Sequence, residues 1–183
     1  NNWGIHTKTD TSSLWTGGNF KDWGKVIGNG RIWRTLSADE WQYLFAGRVD
    51  AAAKIGFAKA CGVNGVIILP DEFTDPMKNG GDGEFVPKSI SGGIANVYTA
   101  GGNWEAMEAA GAVFLPAAGG REGFETIFVG SYGIYVSSSC PNNEVETVCF
   151  EFTDVFIDEH MVRYNGQCVR LVTVVQQTDA DQQ

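Results

Sequence analysis

Residues 119–172 read GGREGFETIFVGSYGIYVSSSCPNNEVETVCFEFTDVFIDEHMVRYNGQCVRLV, and two kinds of position alternate along them. Gly119, Arg121, Gly123, Val129, Gly130, Gly133, Ser137 to Ser139, Phe150, Phe152, Asn165-Gly166 and Val169 to Val172 read as a frame, with turn-forming residues set between short apolar runs. Between them stand Glu122, Phe124, Glu125, Ile127, Phe128, Tyr132, Ile134, Glu151, Val155, Asp158, Glu159, His160 and Tyr164, which share no chemistry. A packed core does not accept that mixture, because a buried carboxylate without a partner is costly. A solvent-facing surface made for contact does. The stretch therefore predicts a binding face carried on a rigid scaffold.

The rest of the composition agrees with a folded, loop-rich chain. At 183 residues and 43% hydrophobic content there is material for one domain with a sizeable core, expected over residues 1–175, with a polar tail at 176–183. Glycine is abundant, at 24 residues, and charged residues make up only 19%, which suits much irregular structure. A net charge of -9 and a pI near 4.6 exclude nucleic acid as the main partner, since a phosphate backbone is repelled by such a surface. The apolar runs VIIL, AVFL and VRLVTVV are strand-sized, so membrane insertion is not expected. The chain opens at Asn1 without an initiator methionine or a signal-peptide pattern, as a piece of a longer protein does. Cys61, Cys140, Cys149 and Cys168 lack the paired spacing of a zinc site; an even count permits disulfides without requiring them.

In chain order, residues 1–31 hold Trp3, Trp15, Phe20 and Trp23, aromatics expected to plug the core from a loop rather than to form a sugar platform. Ser37 and Glu40 form a capping-box pair, so a helix is predicted from Ala38, with Trp41, Leu44 and Phe45 on its inner face and an end near Gly47. A further turn is expected through Asp50 to Lys54. Val66 to Leu69 reads as a buried strand ended by Pro70, and Ala112 to Leu115 as a second, ended by Pro116. Residues 71–93 read as a loop, in which Asn79, Asp82 and Glu84 have the composition but not the spacing of a cation site. Asn103 is expected to cap a second helix with Trp104, Met107 and Ala110 inward and Gly111 as its stop. Val148, Phe150 and Phe152 alternating with Cys149, Glu151 and Thr153 predict a half-buried strand. Asn165-Gly166 predicts a tight turn into a strand over 167–175.

Nothing assembles into catalytic machinery. His6 and His160 stand outside any ligand or triad pattern, no G-x-S-x-G elbow occurs, and the glycine-rich GGREG segment lacks the lysine a phosphate loop needs. Ser137 to Ser139 fit a turn or a strand edge, since no base accompanies them. The chain is read as a non-enzyme without cofactor or metal.

The runs GGR-x-G, VGSYG-x-Y-x-SSS, F-x-F and RYNGQCVRLV, with WRTLSADEWQYLF, NGVIILPD and WEAMEAAGAVFLPAAG upstream, resemble a C-type lectin-like family of gut bacteria and their phages. It includes the Fibrobacter succinogenes major paralogous domain proteins and the variable proteins of diversity-generating retroelements. Over residues 33–172 the resemblance implies an α+β, C-type lectin-like fold: two helices packed on short mixed or antiparallel β-sheets with much irregular loop. It also implies a diversified face at Glu122, Glu125, Ile127, Phe128, Tyr132, Ile134, Cys149, Glu151, Val155, Asp158, Glu159, His160 and Tyr164. Phe124, Phe128, Tyr132 and Phe156 would be its aromatic anchors and the carboxylates its rim. The expected partner is a protein or glycan on a target surface, met outside the cell from a cell surface or a phage particle. The calcium-lectin triplets Glu-Pro-Asn, Gln-Pro-Asp and Trp-Asn-Asp do not occur, and the paired cysteines of formylglycine-generating enzymes, which share the fold, are not matched. A template asparagine codon changed only at adenines does not yield glutamate, and Val136 stands where a family pattern has tryptophan. A fixed-sequence bacterial adhesin or glycan-binding domain of the same fold is therefore the alternative.

Overall fold

The computed structural model describes residues 33–78, 83–139, 144–162 and 165–173. Its architecture is mixed α+β, with two short helices and several small sheets. The expectations for residues 1–31 and 176–183, and for Asn79, Asp82, Cys140 and Tyr164, fall outside the described residues.

The apolar run before Pro70 becomes strand β3 (Val63–Ile68), which lies in a four-stranded sheet between β2 (Ile55–Ala60) and β5 (Val113–Pro116), with β4 (Asn96–Tyr98) beyond β2. Strand β2 (Ile55–Ala60) pairs antiparallel with β3 from Ile55↔Ile68 to Ala60↔Val63. Strand β4 (Asn96–Tyr98) lies parallel to β2, and β5 (Val113–Pro116) antiparallel to β3. Both faces of this sheet are covered, which is why Val66 to Ile68 of β3 and Val113 to Leu115 of β5 read as unbroken apolar runs rather than alternating ones. Ile55, Phe57, Val66 and Ile68 face one core with Trp41, Phe45, Tyr135, Val148 and Phe150. Ala58, Ala60, Ile67 and Leu69 face another with Tyr98, Trp104 and Met107. Each large side chain buried there contributes about 1.5–3 kcal/mol relative to an exposed one.

Helix α1 (Ala38–Gln42) starts where the capping box predicts. The Ser37 hydroxyl accepts from the Glu40 N–H at 3.2 Å, and the Glu40 carboxylate accepts from the Ser37 N–H at 2.9 Å. The chain then loosens into a π-turn over Tyr43–Gly47, which keeps Phe45 inside. Buried Arg48 follows and ties this turn to the end of β3, donating to the carbonyls of Leu44 at 2.9 Å and Leu69 at 2.7 Å. The turn expected over 50–54 is a single 3-10 turn, Ala51–Ala53.

Helix α2 (Asn103–Ala109) buries Trp104 and Met107 and stops at Gly111, whose φ is +94°. Its cap is a correction: Gly102, not Asn103, is the N-cap residue. Asn103 is the first helical residue, its Oδ1 accepting from the Thr99 N–H at 2.8 Å, while the Glu105 carboxylate takes the N–H groups of Gly101 and Gly102. The described residues of the loop over 71–93 are pinned rather than free. Buried Asn96 accepts from the Val86 N–H at 2.7 Å and donates to Phe57 O and Val86 O, and Asp75 accepts from the N–H groups of Met77 and Phe85.

The last third carries a β6–β7 hairpin (Gly120–Glu122, Glu125–Ile127) and an antiparallel sheet of β8 (Gly133–Val136), β9 (Glu144–Phe150) and β10 (Val155–Val162), ordered β10-β9-β8. Strand β11 (Leu171–Thr173) pairs with β1 (Trp33–Thr35), closing the described chain on itself. Two expectations are corrected here. The strand expected to be half-buried is buried on both faces from Thr147 to Phe150 and ends there, and residues 151–154 turn the chain into β10, with Glu151 N–H donating to Asp154 O at 3.0 Å. The segment after Asn165-Gly166 does not fold back as a hairpin: Gly166 bridges Arg121, Cys168 bridges Tyr135, and β11 goes to β1. Distant edges with open N–H and C=O groups win over a local turn signal.

Candidate binding surface

Position by position, the predicted residues separate into displayed and interior ones. Glu122, Phe124, Glu125, Phe128, Phe156, Asp158, Glu159 and His160 are exposed; Ile127, Tyr132, Glu151 and Val155 are half-buried. Ile134 and Cys149 are corrections. They are 7% and 4% exposed, so neither is displayed. The register explains it: Ile134, Cys149 and Phe156 are cross-strand neighbours over β8, β9 and β10, hence on one face of the sheet. The β6–β7 hairpin lies over the β8 end of that row, where Ile134 Cδ1 is 3.5 Å from the place a Cβ on Gly120 would take. Phe156, at the far end, is left 38% exposed. Burial also raises the Cys149 and Cys168 thiols above their ordinary range; Cys61, Cys149 and Cys168 are all free.

Between the hairpin and β8, residues 128–132 form a tight loop. The Phe128 carbonyl accepts from the N–H groups of Ser131 and Tyr132, each at 3.0 Å, and from the Ser131 hydroxyl. The loop is fastened to the scaffold by Gly130 N–H to Ala117 O and Gly119 N–H to Tyr132 O, both 2.7 Å, and by Asn64 Nδ2 to Gly130 O at 3.0 Å. None of these bonds uses a predicted contact side chain. Gly119 is indispensable: its φ is +69°, and a Cβ there would lie 2.1 Å from Ile127 O. Gly133 is needed for another reason, since the Phe150 ring lies on its bare face and a Cβ would meet it at 2.0 Å.

Two exposed candidates sit in the left-handed region that β-carbons disfavour, Phe128 at φ +59° and Asp158 at φ +65°. Asp158 lies in the irregularity of β10, where the register slips between Phe156 and Glu159. Phe128 is 54% exposed with its ring 5.1 Å from that of Tyr132. The Tyr132 hydroxyl donates to Glu151 Oε2 at 2.7 Å, and this carboxylate pushes the phenol above its ordinary value. Thr153 Oγ1 donates to the other oxygen of Glu151 at 3.0 Å, so both oxygens are held. The chain offers here an aromatic pair with one polar edge fixed by a carboxylate.

Sequence reasoning placed Val129 in the frame, whereas it is exposed beside Phe128. It also passed over Asn64 and Ala117, whose polar groups anchor the loop; Asn64 beside Gly65 was the available signal. Among the described residues no group of His, Cys, Asp and Glu is arranged to hold a metal ion, and no helix is long and apolar enough to cross a membrane. No family model, curated protein or solved structure matches the chain.

Proposed function

We propose that the chain is a C-type lectin-like domain whose last third binds a protein or glycan on a target surface, as a variable protein of the retroelement kind does from a cell surface or phage particle. One observation carries the reading: the exposed phenylalanines of the described residues, Phe124, Phe128 and Phe156, all belong to the predicted contact set, while the other described phenylalanines are buried or half-buried. Exposed aromatic area costs solubility and marks contact surfaces, and among the described residues Tyr43 is the one exposed aromatic outside this last third. The fastening of the 128–132 loop through glycines, main chain and Asn64 supports it further, because those bonds survive replacement of the displayed side chains. No catalytic step is part of the proposal.

Replacing Phe124, Phe128 and Tyr132 with alanine tests it. Binding to a ligand selected against the wild-type chain is expected to vanish, while the melting temperature stays within about 3 °C. Retained binding overturns the reading, and a large drop in melting temperature reassigns these residues to the core. Glu122, Glu125, Glu151 and Glu159 favour the second reading, a fixed-sequence adhesin of the same fold. A reverse-transcriptase gene beside a near-copy of the 3′ coding region would decide for the first.

A further inference from the structure

The β6–β7 hairpin closes through Gly123 and Phe124, and its last ladder pair is Glu122↔Glu125. Like charges directly opposite on a ladder repel. Among the described residues the one bond to Glu122 is long, 3.5 Å, from Asn165 Nδ2, and neither Glu122 nor Glu125 makes an ion pair. Arg121, the hairpin's cation, is turned onto its own loop, with Nε donating to Gly123 O at 2.9 Å. Phe124 sits between the two carboxylates in sequence, at the tip, and is 88% exposed. A ladder pair of carboxylates beside an exposed aromatic residue at one turn supplies the groups that a planar cation uses. A guanidinium stacks on a ring face while its N–H fork engages carboxylates, and it sheds water more readily than an ammonium does. The net charge of -9 adds long-range attraction for a basic partner and repels acidic glycans.

We propose that the hairpin tip receives an arginine presented by a basic protein surface. The inference rests on the reading of this region as a binding face and narrows its partner to a protein.

The test has two arms. In the first, fluorescence anisotropy measures labelled arginine, lysine and glutamate homopeptides against the wild-type chain, F124A, E122Q/E125Q and a charge-matched control, E72Q/E108Q. Arginine peptide is expected to bind tighter than lysine peptide, to weaken about tenfold on F124A and on E122Q/E125Q, and to be little changed on the control. Equal binding of the two basic peptides, or equal weakening by the control, reduces the effect to general attraction by net charge and overturns the proposal. In the second arm, a displayed random-peptide library and a glycan array are screened on the wild-type chain and on F124A and F128A. Arginine-bearing peptides that lose their hold on F124A support the inference, and arginine-bearing peptides that lose it on F128A alone overturn it. Peptides without basic residues, or glycans, that lose their hold on the variants overturn it and leave the binding face standing. If no selected ligand responds to either variant, both fall.

Discussion

At single residues, backbone angles mark positions where the side chain present is not the one the fold itself favours. Phe128 holds φ +59° with half its surface in water, a conformation that costs about 1–2 kcal/mol for a residue with a β-carbon. Phe128→Asn, which tolerates that region, is therefore expected to leave thermal stability equal to or above wild type while abolishing ligand binding; calorimetry and a binding isotherm on the same sample check both halves. Cys61 offers the contrast. Cys61 and Gly62 are the two loop residues between β2 and β3, with φ of +51° and +83°, the signs a type I′ turn requires. Asparagine is the preferred residue at the first of these positions, so Cys61→Asn is expected to stabilise the chain by about 0.5–1 kcal/mol in urea denaturation. A decrease would show that the thiol contributes packing the turn needs.

Among the elements, helix α1 and strand β8 show how far sequence and structure agree. The capping box was legible because its members lie three residues apart. What else holds the helix start was not: Ser139 Oγ accepts from the Ala38 N–H at 3.1 Å, and Ser138 N–H donates to Leu36 O at 2.8 Å, from serines a hundred residues away in the chain. Arg34 completes the site by gripping both Glu40 oxygens, and that hydrogen bonding holds the carboxyl well below its ordinary 4.5, at about 2. The folded value is the depressed one, so the stability from this pair is complete above pH 4.5 and is lost as the pH falls through about 2. Both side chains are partly in water, which keeps the contribution small. Glu40→Gln is expected to flatten the slope of stability against pH in that window, read from acid unfolding curves; an unchanged slope would place the acid response elsewhere. In β8, Gly133→Ala sets a methyl against the Phe150 ring and is expected to cost about 1–3 kcal/mol, measured by chemical denaturation. A neutral result would mean the ring moves aside freely.

For the whole molecule, strands with continuous apolar runs, β3 and β5, could be read directly, whereas β2 could not. Ile55-Gly56-Phe57-Ala58-Lys59-Ala60 mixes glycine, alanine and lysine, and it is a central strand because Phe85 and Asn96 fill the space over Gly56. The same limit governed the candidate face. Its mixed chemistry was visible in one dimension, but which members would be roofed over depended on where the hairpin came to rest, so Ile134 and Cys149 were misplaced. The division yields a test of scale. Changing Glu122, Phe124, Glu125, Phe156, Asp158, Glu159 and His160 together to serine or alanine is expected to lower the melting temperature by only about 2–5 °C. Ile134→Ala alone is expected to cost about 2–4 kcal/mol, because the hairpin cannot collapse fully onto the space left. Both are read from thermal melts, and a collapse of the multiple variant would show that the displayed side chains hold the frame after all.

The fastening of the 128–132 loop has a spectroscopic corollary. The amide protons of Gly119, Gly130 and Tyr132 are committed to carbonyl acceptors while the rings beside them stand in solvent. In deuterium oxide these three signals should persist long after those of ordinary surface amides have faded, and should persist alike in chains bearing quite different residues at positions 124 and 128. Slow exchange beneath a changeable exterior would be the mark by which other sequences built on this plan could be sorted.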